Sequence, residues 1–216
     1  MKKLNRKGFT LIELLAVITI MGILMIVAVP AVSRTIENTR RSTFANTAQN
    51  YLNAVKTAVS ADEFTYTEGT GTSAVTTSIS AAPAGYYYYG FDSNATSGKD
   101  LMEQGGKSAW KNAQVKGYVL VRKDIEAATA TRNAREKYEY AIVLIDAGNR
   151  GIEVLTPEDS VNKSAVRSGG TRAFLTAPAG TANKDVYKVG STTYTVKTSG
   201  TTSGNVVVAK ALTLVG

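Results

Sequence analysis

The run from Phe9 to Val32, FTLIELLAVITIMGILMIVAVPAV, constrains this chain more than any other feature: it is almost unbroken apolar sequence carrying one charge, Glu13. At about 1.5 Å per residue a helix over it is roughly 36 Å long, enough for the hydrocarbon core of a bilayer. Lys2, Lys3, Arg6 and Lys7 precede it. Positive charge stays on the cytoplasmic side, so everything after about residue 33 is expected outside. A cleaved secretory signal has a shorter apolar stretch ending in a small-x-small site, which does not fit here. A plain anchor fits the length but leaves Glu13 as a tolerated charge with no role.

The cations also colour the overall composition. Lys+Arg outnumber Asp+Glu by 25 to 17, and four of the 25 lie before residue 9, so the rest of the chain carries 21 against 17. No later segment is a dense basic run, and no specific nucleic-acid partner is expected. The 216 residues contain no Cys and no His. Disulfides, thiolate nucleophiles, imidazole bases and the usual zinc ligands are therefore absent. No motif sets paired carboxylates beside a nucleophile or metal set, so no enzyme, metal site or cofactor is expected.

After Val32 the sequence turns polar without a helix breaker, and Phe44, Ala48, Tyr51, Val55 and Val59 recur at spacings of three and four. That stripe predicts one long helix from Phe9 to about Ser60, apolar all round in its first half and amphipathic in residues 33–60. Gly22 and Pro30 lie in the first half. Proline removes a backbone donor and crowds the preceding turn, so a bend or loosened helix is expected between them. Residues 65–85, rich in Thr, Ser, Ala and Gly, read as a loop.

Segments 86–90, 117–123, 138–146, 150–155, 192–197 and 205–214 read as strands, and 147–151 as an antiparallel hairpin turn. The Tyr86–Tyr89 run should send one tyrosine pair to the core and leave one exposed. Asp146 and Asn149 raise a calcium site, but the spacing of a calcium loop is missing and a turn fits better. Asn94 and Asn162 sit in glycosylation-type triplets on segments read as solvated. Segment 124–135 is helical in part of its composition or a connection, and the Gly169-Gly170 pair and 178–184 read as a longer loop.

The order basic leader, Gly8, Phe9, short apolar run, Glu13, unbroken hydrophobics resembles the class III signal of type IV prepilins, carried here by GFTLIE. The resemblance covers about the first 35 residues. It implies an α+β, type IV pilin-like fold: a long amino-terminal helix, transmembrane in its first half, packed on an antiparallel β-sheet. It also implies cleavage between Gly8 and Phe9 by a prepilin peptidase and N-methylation of Phe9. Residues 1–8 are then a leader, 9–32 the membrane and polymerisation segment, 33–60 the amphipathic half-helix and 61–216 an exported domain.

The same resemblance gives Glu13 a physical role. A carboxylate in a bilayer costs a few kcal/mol, so its presence there marks a pairing. Cleavage creates an ammonium group on Phe9 about one helical turn away, and a neighbouring subunit carries the same pair. Glu13 is thus expected to meet the Phe9 amine of its neighbour, fixing axial register, although an intrachain contact is also geometrically open. Gly22 and Pro30 would let the helix bend or melt during packing.

The expected function is a structural pilin that polymerises with other pilins into a type IV pilus filament for adhesion, motility or related surface roles. Its partners would be the prepilin peptidase, the pilus assembly machinery and the membrane, and its location the cytoplasmic membrane and then the cell surface. The alternatives are a pseudopilin of a secretion or DNA-uptake machine and a membrane-anchored adhesin that never polymerises. Many Gram-negative pilins close a carboxy-terminal loop with a disulfide; the lack of cysteine departs from this and tilts the source toward a Gram-positive bacterium.

Overall fold

In a computed structural model the described residues are 9–92, 101, 106–111, 113–178 and 185–215. Helix α1 runs unbroken over Leu11–Ser60. Among the described residues eleven strands follow: β1 Phe64–Glu68, β2 Val75–Ser78, β3 Gly85–Asp92, β4 Val115–Glu126, β5 Arg135–Asp146, β6 Gly151–Pro157, β7 Val186–Val189, β8 Thr192–Lys197, β9 Val206–Val208, β10 Lys210–Ala211 and β11 Thr213–Leu214. The chain divides into two compact units, Met1–Thr39 and Arg40–Gly216.

In the first unit every described helical residue up to Thr35 is solvent-exposed, because a helix that is apolar on all faces has no bare stripe to turn inward. Thr19 Oγ donates back to Leu15 O and Ala16 O, at 3.1 and 2.8 Å, so even this hydroxyl is satisfied within the helix. A Cβ at Gly22 would meet nothing within 4 Å, so no contact inside the chain requires glycine there.

The second unit is a three-layer α+β domain. Residues 40–60 of α1 bury the stripe Phe44, Ala48, Tyr51, Val55 and Val59, joined by Ala45, Leu52, Ala54 and Ala58. This face packs on the inner side of the sheet β10-β3-β4-β5-β6 and on β1 of the sheet β11-β1-β2. The helix closes without glycine: Glu63 N donates to Ala58 O and Asp62 N to Val59 O, with Asp62 left-handed at φ 56°. The Asp62 carboxylate then accepts from Ser80 N at 3.0 Å and Ser80 Oγ at 2.8 Å, tying the segment after β2 to the helix end.

On its outer side the central sheet meets a third sheet, β7-β8-β9, around Tyr118, Leu120, Ala141, Val143, Tyr187, Val196 and Val207. The expected single antiparallel sheet is therefore three sheets, and two pairings are parallel: β10 with β3 and β8 with β9. The reason is the carboxy-terminal segment. Instead of one strand over 205–214, it breaks into β9, β10 and β11, each paired in a different sheet.

Two further expectations need correction. The 65–85 segment is not a loop but holds β1 and β2, paired from Thr65↔Ser78 to Glu68↔Val75; β-branched threonines suit a half-buried pleat as well as they suit a loop. Segment 124–135 is a strand extension and hairpin end: β4 and β5 pair out to Glu126↔Arg135, and Glu126 accepts from Arg132 and Arg135.

The β5–β6 hairpin is as expected. Asn149 N donates to Asp146 O at 2.9 Å, and Asn149 takes the left-handed conformation at φ 54°. Gly151 is required by both conformation and space: its φ is 136°, and a Cβ there would lie 2.6 Å from the Phe44 ring.

Candidate functional site

The start of α1 is built from its own sequence. Thr10 precedes the first helical residue, and its carbonyl accepts from Leu14 N at 3.2 Å. Its hydroxyl accepts from Glu13 N at 3.3 Å, while Thr10 N and Thr10 Oγ each donate to Glu13 Oε2 at 2.8 Å. This is a reciprocal capping box, in which the threonine and the glutamate three residues on satisfy each other's backbone donors. The signature T-x-x-E stands openly in GFTLIE, so the capping role of Thr10, absent from the sequence expectations above, is nonetheless legible in residue order.

Glu13 is therefore held, not loose. Among the described residues one oxygen, Oε2, carries all its hydrogen bonds, and Oε1 receives none. Phe9 stands beside it, 88% exposed, and the large apolar side chains from Phe9 to Val32 are all at least 46% exposed. Gly8 lies outside the described residues. Pro30 sits within an α-helix that continues through it, and neither Pro30 nor Gly22 contacts the Thr10–Glu13 cap in sequence or along the helix. By length and composition the helix is able to cross a membrane.

Elsewhere the sequence candidates resolve into structure. Asp146 Oδ1 accepts from Gly148 N and Arg150 N, and Oδ2 accepts from Ser108 Oγ and Arg150 Nε, so both oxygens are engaged by the hairpin and by Ser108. Asn162 Oδ1 accepts from Ser164 N and Ser164 Oγ in a side-chain-closed turn. Asn94 lies outside the described residues.

The tyrosine run departs from expectation. Tyr87 and Tyr89 face the helix-side core, but Tyr86 and Tyr88 are covered too, because the β7-β8-β9 sheet lies over them. Tyr86 sits 6.0 Å from the Tyr187 ring and 6.2 Å from Tyr194, and Tyr88 6.3 Å from Tyr118. Burial, joined by the nearby Tyr66 hydroxyl, pushes the Tyr87 phenol up to about 12. Tyr87 is buried and Tyr86, Tyr88 and Tyr89 are half-buried, so the run packs on both faces of the sheet.

Residues 3–29 match the family model for the prokaryotic N-terminal methylation motif. That motif is the class III signal of type IV prepilins, so the chain carries the signal of a type IV pilin or pseudopilin-like precursor. The motif implies processing by a prepilin peptidase, and with the apolar helix it implies membrane anchoring. The match lends no support to a Gram-positive source. No curated protein and no solved structure matches the chain.

Proposed function

We propose that the chain is a structural subunit of a type IV pilus filament. A peptidase cuts between Gly8 and Phe9, Phe9 is N-methylated, and residues 9–32 pass from the bilayer into the core of a helical assembly. The observation that carries this reading is the apolar half-helix with every face uncovered and a carboxylate fixed at its first turn. Such a surface needs lipid or other copies of itself around it. A lipid anchor alone has no use for a buried carboxylate, whereas a bundle of identical helices supplies the amine of the neighbouring Phe9 to Glu13 Oε1 while Oε2 keeps the cap closed.

In this reading Gly22 allows close approach of neighbouring helices, and Pro30, which leaves Ile26 O without its usual backbone donor, is where the helix yields on packing. The exported domain beyond the apolar segment is presented at the filament surface.

The deciding measurement is peptide mapping by mass spectrometry of the membrane-held and filament-held protein. The expected amino terminus is N-methyl-Phe9. An intact Met1–Gly8 leader on assembled material, or a cut at another bond, would overturn the assignment.

A further inference from the structure

One edge of the central sheet is covered over only part of its length. β6 pairs with β5 as far as Ala141↔Pro157. There it leaves, because Pro157 has no N–H to continue the pairing and the chain turns into the short helical segment Glu158–Ser160. β5 itself runs on to Arg135, paired with β4 on its other side without a break in register. Asp146 N donates to Arg150 O at 2.9 Å, so the even-numbered residues of β5 turn their backbone groups toward β6, and the alternation carries down the strand. Beyond Ala141, the N–H and C=O of Tyr138 and the N–H of Tyr140 therefore have no strand beside them among the described residues. This stretch of β5 forms one side of a cleft of about 470 Å³, whose other sides include Pro157, Asp159, Lys188 and Gly190.

We infer that the cleft binds an extended peptide, which adds to the sheet as a strand antiparallel to β5 in the place β6 vacates. Backbone donors and acceptors repeating at about 6.8 Å match another backbone and little else. Antiparallel pairing lets one peptide residue exchange both bonds with Tyr138. Residues bonded in this way send their side chains to the helix side, beside the half-buried Tyr138 ring, and apolar side chains suit them. The residues between them fall on the Glu139 side, where polar side chains fit. The charges around the cleft largely cancel: Lys137 pairs with Glu139 at 3.1 Å and Lys56 with Glu158 at 2.5 Å, while Asp159 and Lys188 add one charge of each sign. The occupant is thus an uncharged extended segment in which apolar and polar residues alternate. The site does not rest on the filament reading.

The test uses the full chain, ¹⁵N-labelled, in neutral detergent micelles, with the capped peptide acetyl-Thr-Val-Thr-Val-Thr-amide as the probe. Amide hydrogen exchange along β5 is followed by NMR. At saturating peptide the Tyr138 and Tyr140 amides should exchange at least tenfold more slowly, whereas the Lys137 and Glu139 amides, which face β4, should not change. A probe N-methylated on its valines loses the donors that face β5 and should not bind; one N-methylated on its threonines should bind as the parent does. Tyr138→Pro, which removes an edge donor that β4 does not use, should weaken binding about fivefold.

No slowing at millimolar peptide, or equal behaviour of the two N-methylated probes, would overturn the site. Slowing at Tyr138 and Tyr140 that rises with protein concentration and needs no peptide would give the edge to a second copy of the chain and overturn the peptide assignment.

Discussion

One helix serves two environments. Up to Val32 it exposes Leu, Ile, Val and Met on every face, whereas from Phe44 onward its apolar residues fall in one stripe and that stripe is buried almost completely. The two halves share a backbone and differ in how apolar residues are distributed around it. A helix apolar all round must find its solvent or its partners outside the chain; a striped helix finds them inside. The difference marks the second half as a folding element; the proposed filament makes the first half the assembly element, and that division can be tested from either side.

The largest effect should come from the first half. Glu13→Ala is expected to abolish or sharply reduce filaments counted by electron microscopy while immunoblots still show processed subunit in the membrane. Glu13→Gln separates the two roles of this side chain. An amide can still close the cap over Thr10, but it carries no charge for a neighbouring amine, so little assembly should return. Wild-type filament numbers in either variant would remove the pairing and leave Glu13 as a cap alone.

The second half should respond in stability instead. Phe44 is fully buried with its ring 5.6 Å from Trp110, so Phe44→Ala is expected to cost about 3–5 kcal/mol by chemical denaturation of the domain. Leu24→Ala, in the exposed half, should leave the same transition where it was. A comparable loss in both would mean that the first half also folds against the domain.

Smaller effects probe the outer layer. Tyr118 Oη donates to Asp185 Oδ1 at 2.8 Å, and Arg172 Nη2 donates to the same oxygen at 2.6 Å. Burial, then the Asp185 carboxylate, raises the Tyr118 phenol well above its ordinary range, so it stays a donor. Tyr118→Phe should lower stability by about 1–2 kcal/mol, since Arg172 still holds Asp185.

The smallest effect is a slope with pH. The bond from Lys123 at 2.7 Å, and then that from Tyr138, hold the Glu136 carboxyl below the ordinary glutamate range. Its stabilisation is full above the unfolded value of about 4.3 and is lost as pH falls through the lower folded value. Thermal melting from pH 6 downward should fall less steeply in Glu136→Gln than in the parent.

Much of this was legible from residue order. The stripe Phe44, Ala48, Tyr51, Val55 and Val59 named the buried face, and GYVLVRK and YEYAIVLID named the two central strands, because period and apolarity are local properties. The helix-start cap is equally local, written in the T-x-x-E of Thr10 and Glu13. What stayed hidden depends on partners far along the chain. The threonine-rich β1 and β2 become strands only because each pairs with the other and β1 also with β11. Tyr86 and Tyr88 alternate as expected, yet alternation cannot say that another sheet will cover the second face.

The division of the carboxy-terminal segment among three sheets has a kinetic side. Val206–Val208 pairs with β8, Lys210–Ala211 with β3 and Thr213–Leu214 with β1, so one short run, 206–214, ties together three sheets. Its pairing with β1 closes a loop of nearly the whole domain, the kind of long-range step that slows folding. These residues are synthesised after every strand they join. The helix stripe and the hairpins rest on contacts close in sequence, whereas joining the three sheets waits for this clasp. In the export orientation proposed above, a domain closed only by its last strands stays threadable through a translocation channel until they arrive.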